Sequence, residues 1–215
     1  MSAALRAVAR KIFAQAMAAV NVSGAVRKEI SIAGGQLWLS GKAIRVSDLD
    51  HVLIVAIGKA AVTMHAAAAE QLASVSCHAI VVAPFETLPF SRYAVDGSVA
   101  FLSGAHPTPT ADSVNAAYAI MQLLSRANAR TAVLFLISGG ASAMVELPLD
   151  PAITLADVAA FHLALVSSGL PIASMNTLRK HLSAVKGGRL AVAAAAAAMQ
   201  CTLLVSDVPA ASPDS

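Results

Sequence analysis

Five short runs of apolar residues set the rhythm of the chain. Residues 51–57 are almost wholly apolar and end at Gly58, and similar runs occupy 78–83, 99–102, 132–137 and 202–205. An unbroken apolar run marks a strand covered on both faces, as in a parallel sheet. Between the runs the period lengthens. Residues 59–73, 110–126 and 154–168 read as helices, the second carrying Val114, Ala117, Met121 and Leu124 on one side. Thr110 is placed to cap one of them, and Thr154 with Asp157 makes a capping box for another. A helix pair is expected over 172–199, broken at Gly187-Gly188. Strands alternating with helices predict an α/β fold, a three-layer α/β/α sandwich on a mostly parallel sheet. Residues 29–46 have a different period. Ile30/Ile32 and Leu37/Leu39 alternate around Gly34-Gly35, with a second break at Gly41, which predicts a small antiparallel β meander. Near the start, Leu5, Val8, Ile12, Phe13 and Val20 share one face of a first helix that Ser2 would cap. Arg6, Arg10 and Lys11, with no acid in residues 1–20, also give this stretch the look of a transit peptide.

Composition narrows the class. The 215 residues are 57% apolar and 13% charged, which excludes a disordered chain and allows a core without disulfides. A net charge of +3 and 4% aromatics argue against a nucleic-acid binder. The mean hydropathy of +0.70 is inflated by alanine. No apolar stretch reaches the roughly 18 residues of a membrane span, so no membrane partner is expected. Cys77 and Cys201 lack metal-ligand spacing and read as free buried thiols in a reducing, cytoplasmic setting.

Ligands of open α/β sheets bind beyond the carboxyl ends of the strands, so the residues just past each run carry the candidate chemistry. Gly58-Lys59 places a cation where a helix begins and anions are already favoured. The stretch from Ser103 to Thr110 holds His106 in a loop stiffened by Pro107 and Pro109. Ser138-Gly139-Gly140-Ala141-Ser142 can bring backbone N–H groups and hydroxyls to a phosphate. Asn176, Arg179, Ser183 and Lys186 repeat at helical spacing as an acid-free stripe beside an apolar one of Met175, Leu178, Leu182 and Val185. Asp207 comes after the last run, where a carboxylate can anchor Mg²⁺.

Together these motifs resemble the glycerate 2-kinase family. They are Gly58-Lys-Ala-Ala, Gly104-x-His-Pro-x-Pro, Ser138-Gly-Gly-x-Ser, Asn176-x-x-Arg-x-His-Leu-Ser-x-x-Lys-Gly-Gly-Arg-Leu-Ala and Ser206-Asp-Val, in order along the chain. The resemblance implies a Rossmann-like N-terminal domain, residues 1–215 here, and ATP-dependent phosphorylation of D-glycerate at its 2-hydroxyl with Mg²⁺. It implies Lys59 and Arg179 as catalytic residues. Ser138, Gly139, Gly140, Ser142 and Lys186 would bind ATP, His106 and Asn176 the substrate, and Asp207 the metal.

Family members continue past Ser-Asp-Val-Pro with Gly-Asp, an Ile-Ala-Ser-Gly-Pro stretch and a C-terminal MOFRL domain. Here Pro209 is followed by Ala210-Ala211 and the sequence ends at Ser215. The expectation is a truncated kinase, poorly active alone, with a homo-oligomer or a separate C-terminal half as its protein partner. The alternatives are an NAD(P)-dependent hydroxypyruvate reductase and a non-catalytic nucleotide- or anion-binding remnant. No G-x-G-x-x-G comes after a strand, which weighs against the reductase.

Overall fold

A computed structural model describes residues 3–19, 21–89 and 98–206. Ser2, Val20 and Asp207, each singled out above, lie outside the described residues. Five parallel strands form the body: β4 (His51–Ile57), β5 (Cys77–Ala83), β6 (Val99–Ser103), β7 (Thr131–Ser138) and β8 (Met199–Val205). Before them, β1 (Ile30–Ala33), β2 (Gln36–Leu39) and β3 (Lys42–Arg45) make the expected antiparallel meander. The parallel sheet runs β6-β5-β4-β7-β8.

The unbroken apolar run of β4 has its reason in the layers. Val52, Ile54 and Ala56 point to one core, shared with α2 (Val22–Glu29), α3 (Ala61–Gln71) and the meander's Ile30, Leu37 and Leu39. Leu53, Val55 and Ile57 point to the other, under α4 (Ala111–Leu124), α5 (Ala141–Met144) and α8 (Arg189–Ala193). Burying a Leu or Ile side chain contributes about 1.5–3 kcal/mol, so two such cores stabilise both faces of the sheet. Cys77 and Cys201 are free and partly buried, and burial pushes the Cys77 thiol up to about 11.

The caps agree with the sequence. Thr110 and Ser113 exchange a reciprocal capping box at α4, and Thr154 and Asp157 do so at α6 (Leu155–Ser167). Two expectations fail. The basic segment is not one helix: α7 (Ile172–Leu182) stops at Leu182, and Ser183 turns into extended backbone that pairs with Pro148. Leu178 and Leu182 are therefore over two-fifths exposed, at 44% and 43%, and only Val185 of the apolar stripe is buried. The last helix is also shorter than expected: it ends at Ala193, turns follow over 194–198, and residues 199–201 join β8.

The Pro148–Ser183 pairing has a larger meaning. Leu149 N–H donates to Leu182 O at 2.9 Å and Ala184 N–H to Leu147 O at 2.7 Å. The chain thus leaves the body after α5, makes α6 and α7, and returns beside its point of departure. α1 (Ala3–Ala19) forms as expected, but Leu5, Val8, Ile12 and Phe13 are exposed. No helix among the described residues is long and apolar enough to cross a membrane.

Candidate functional site

The chain builds β4, β5 and β6 outward in one direction, then places β7 on the other side of β4. Successive crossovers therefore diverge between β4 and β7, and a crevice opens at their carboxyl ends. Two loops line it. Ile57 and Ile137 are in register, so Gly58-Lys59 and Ser138-Gly139-Gly140 leave the sheet side by side.

Hydrogen bonds stitch these loops together. Gly58 N–H donates to Val82 O at 3.0 Å and Lys59 N–H to Gly139 O at 3.0 Å. The Ser138 hydroxyl accepts from Ala60 N–H at 3.0 Å and donates to Ile57 O at 3.4 Å. Ser138 is buried, and its hydroxyl is spent on joining the loops. Gly58 has φ +122°, and a Cβ there would sit 2.4 Å from Ser138 Oγ and 2.5 Å from Ser138 O.

Gly140 is where the side chains meet. It has φ +87°, and a Cβ on it would lie 3.1 Å from His106 Cδ2 and 3.6 Å from Lys59 Cε. The imidazole, the lysine stem and the glycine backbone thus converge on one point. His106 arrives on the loop after β6, tied by Gly104 N–H donating to Ala83 O at 3.0 Å. A Cβ on Gly104 would lie 2.5 Å from Met144 Cβ, so this loop sits directly on α5. Lys59, His106 and Ser142 are exposed to solvent, while Gly139 and Gly140 are half-buried. A flexible cation, an imidazole and a glycine-rich turn can together receive a phosphate.

The basic segment is arranged differently. Asn176 Oδ1 accepts from Arg179 Nη1 at 3.1 Å. Lys186 lies beyond the helix, donating to the Glu146 carboxylate and, at 3.4 Å, to Val145 O. His162 Nε2 stands 3.6 Å from Glu146 Oε2. Glu146 is 4% exposed, so this is a buried ionic cluster. Burial pushes the Glu146 carboxyl up. The His162 hydrogen bond and the Lys186 charge outweigh it and hold the group below its ordinary range. The Lys186 stripe is acid-free only along its own segment; its carboxylate comes from across the fold. Glu146 and His162 are not singled out by the sequence motifs. The one local signal is a lone carboxylate inside the apolar stretch 143–149, which burial obliges to find a partner.

Arg179 also lines a cavity of about 220 Å³ between α6 and α7, with Ile153, Val158, Phe161 and Leu182 as apolar walls. No hydrogen bond or ion pair joins it to Lys59 among the described residues. Nor do three or more His, Cys, Asp or Glu side chains gather there as a metal site among the described residues. Val205, the last residue of β8, pairs with Ser138, and Asp207 lies outside the described residues.

Comparison with known proteins agrees with this architecture. Residues 8–215 match the family described as Domain of unknown function (DUF4147). A D-glycerate 2-kinase of Thermotoga maritima is 38% identical over 67% of this chain and 33% of its own length. An Agrobacterium vitis protein provisionally named hydroxypyruvate reductase is 39% identical over 73% of this chain and 34% of its own. The crystal structure of a glycerate kinase from Thermotoga maritima superposes with TM-score 0.76 at 31% identity, covering 96% of this chain and 45% of that one. The chain thus spans about a third of the length of these two curated relatives. By residues 8–215 the chain belongs to the DUF4147 family, and it shares its fold with a solved glycerate kinase.

Proposed function

We propose that this chain carries the phosphate-handling part of a glycerate kinase, which transfers the γ-phosphoryl group of ATP to the 2-hydroxyl of D-glycerate. The observation that carries the reading is the convergence of Lys59 and His106 on Gly140 at the crevice between β4 and β7. Phosphoryl transfer asks mainly for positioning and charge neutralisation. Lys59 would neutralise charge on the transferring group, and the Gly139-Gly140 backbone would hold phosphate oxygens. His106 would contact the acceptor acid beside its reacting hydroxyl. Lys186 is paired with Glu146 and Asn176 accepts from Arg179, so neither is assigned a direct phosphate contact in this reading. In the products the acceptor oxygen holds the phosphorus, ADP has left, and the hydroxyl proton is released.

Mg²⁺ is ordinarily held by one or two carboxylates together with the substrate's phosphates. The described loops offer amides and an ammonium, so the fitting protein ligand is Asp207, and the ion would arrive with the nucleotide. Bound there, Mg²⁺ would shield phosphate charge. Residues 1–215 would act as one kinase N-terminal domain, slow when alone. The reductase reading has less support, since the turn after β4 reads Gly58-Lys59-Ala60-Ala61 and lacks the dinucleotide fingerprint.

The test pairs nucleotide binding with a coupled ADP-release assay on D-glycerate, ATP and Mg²⁺. The expected result is saturable ATP binding with slow, glycerate-dependent turnover, and Lys59→Ala weakening ATP binding at least about tenfold, the worth of one charge-assisted contact. Binding that Lys59→Ala leaves unchanged would sink the assignment of the crevice. Oxidation of NADH or NADPH by hydroxypyruvate would favour the reductase instead.

A further inference from the structure

The cavity between α6 and α7 takes no part in the transfer just described, and it is furnished as a ligand site of its own. Its apolar walls are Ile153, Val158, Phe161 and Leu182, around about 220 Å³. An apolar cavity of about 150 Å³ holds benzene, so by the same scale this one holds about nine non-hydrogen atoms.

The polar groups in its lining are unequally satisfied. Glu146 is answered by Lys186 and by His162. Asp157 is occupied by the backbone and hydroxyl of Thr154. Arg179 is the exception. Its Nη1 donates to the neutral amide of Asn176, and its Nε is buried with no hydrogen-bond partner. No ion pair reaches it among the described residues. Arg179 lies near enough to Lys186 for its charge to act on that amine. The buried Glu146 carboxylate is thus taken by Lys186, and Asp157, the other carboxylate of the lining, is exposed and bonded to Thr154, so the Arg179 guanidinium has no carboxylate partner of its own beside the apolar wall.

We propose that this cavity binds a small monocarboxylic acid with a hydrocarbon body, aromatic or branched, whose carboxylate accepts hydrogen bonds from Arg179. A guanidinium fork and a carboxylate match in geometry, and the charge-assisted bond is roughly twice as strong as a neutral one. The hydrocarbon body covers the four apolar walls, a mixture typical of ligand pockets. D-glycerate has no hydrocarbon to place there, so the site is separate from the acceptor site and does not rest on the kinase reading.

Calorimetric titration of the 215-residue chain with benzoate tests the proposal, with 3-methylbutanoate as a branched acid and benzamide as the neutral isostere. The expected result is saturable one-to-one binding of both acids, with benzamide at least about tenfold weaker, the worth of the charge-assisted contact. Arg179→Gln should bring acid and amide to equal, weak affinity. Val158→Trp should fill the cavity and remove binding. If that variant melts without cooperativity, the second readout replaces it: benzoate should raise the melting temperature of the parent protein and not that of Arg179→Gln. Three outcomes overturn the proposal. One is no saturation by either acid up to its solubility limit. The second is benzamide binding as tightly as benzoate. The third is competitive displacement of benzoate by D-glycerate, which would make the cavity the acceptor site.

Discussion

Gly58 and Gly140 both hold left-handed backbone angles, at φ +122° and +87°, yet a methyl group would cost them differently. At Gly58 it meets the Ser138 backbone, which is held by two strands and cannot yield. Gly58→Ala should destabilise by about 3 kcal/mol, from strain and overpacking together, read by urea denaturation. At Gly140 the nearest obstacle is the Met144 methyl at 2.9 Å, the far end of a flexible side chain. Gly140→Ala should cost about 1–2 kcal/mol for its left-handed angle and displace His106 while crowding the glycine backbone that holds phosphate, so ATP affinity should fall more than stability does. Glu146 gives a pH signature. Its folded pKa lies below the ordinary 4.5, so between the two values the unfolded chain binds the proton first. Its contribution is full above pH 4.5 and is lost as pH falls through the folded value. Glu146→Gln should flatten the acid limb of stability against pH. It should also cost about 3–5 kcal/mol at neutral pH by stranding the Lys186 charge. The sequence shows Lys59, His106 and Gly140 as separate strand-end residues. It does not show that they meet, since that depends on a strand order only tertiary packing decides. Glu146 is harder still, because its partners stand 16 and 40 positions away in the chain.

Elements are legible wherever a single local rule governs them. The strands of the parallel sheet are continuous apolar runs because both faces are covered, and α4 and α6 begin at the capping residues that the sequence marks. Removing the α6 cap isolates that rule. Thr154→Ala should cost about 1 kcal/mol and speed amide exchange over residues 155–158 more than in β4. The stripe through Leu178, Leu182 and Val185 misleads because a distant pairing overrides local period. Ser183 is drawn off the helix by Pro148, and everything after it turns. The alanine run after Arg189 also departs from a long helix: α8 ends at Ala193, and after a turn β7 takes residues 199–201 into an edge strand.

For the whole molecule, the two cores belong to the sheet, and the described side chains of α1, residues 4–16, belong to neither. Its apolar face, Leu5 to Phe13, lies in solvent. Deleting residues 1–20 should therefore leave the melting temperature within about 2 °C, less than the shift of a 1 kcal/mol change. The same deletion should lower binding of an apolar dye. A destabilisation larger than that would mean α1 packs on the body. Fold class is readable from alternation alone, and the family from the ordered motifs. The switch point between β4 and β7 is not, because sequence order does not say on which side of β4 the chain returns.

The ladder at Pro148 and Ser183 also bears on how such a protein can change. Its two sides stand about one strand spacing apart, roughly 4.8 Å, so a short turn could join them. Everything from 149 to 182, which carries all of the cavity's lining except Glu146, could then be exchanged as a cassette while the sheet and its strand-end loops stay as they are. The same seam makes the pocket a place where specificity can diverge without disturbing the chemistry of the crevice.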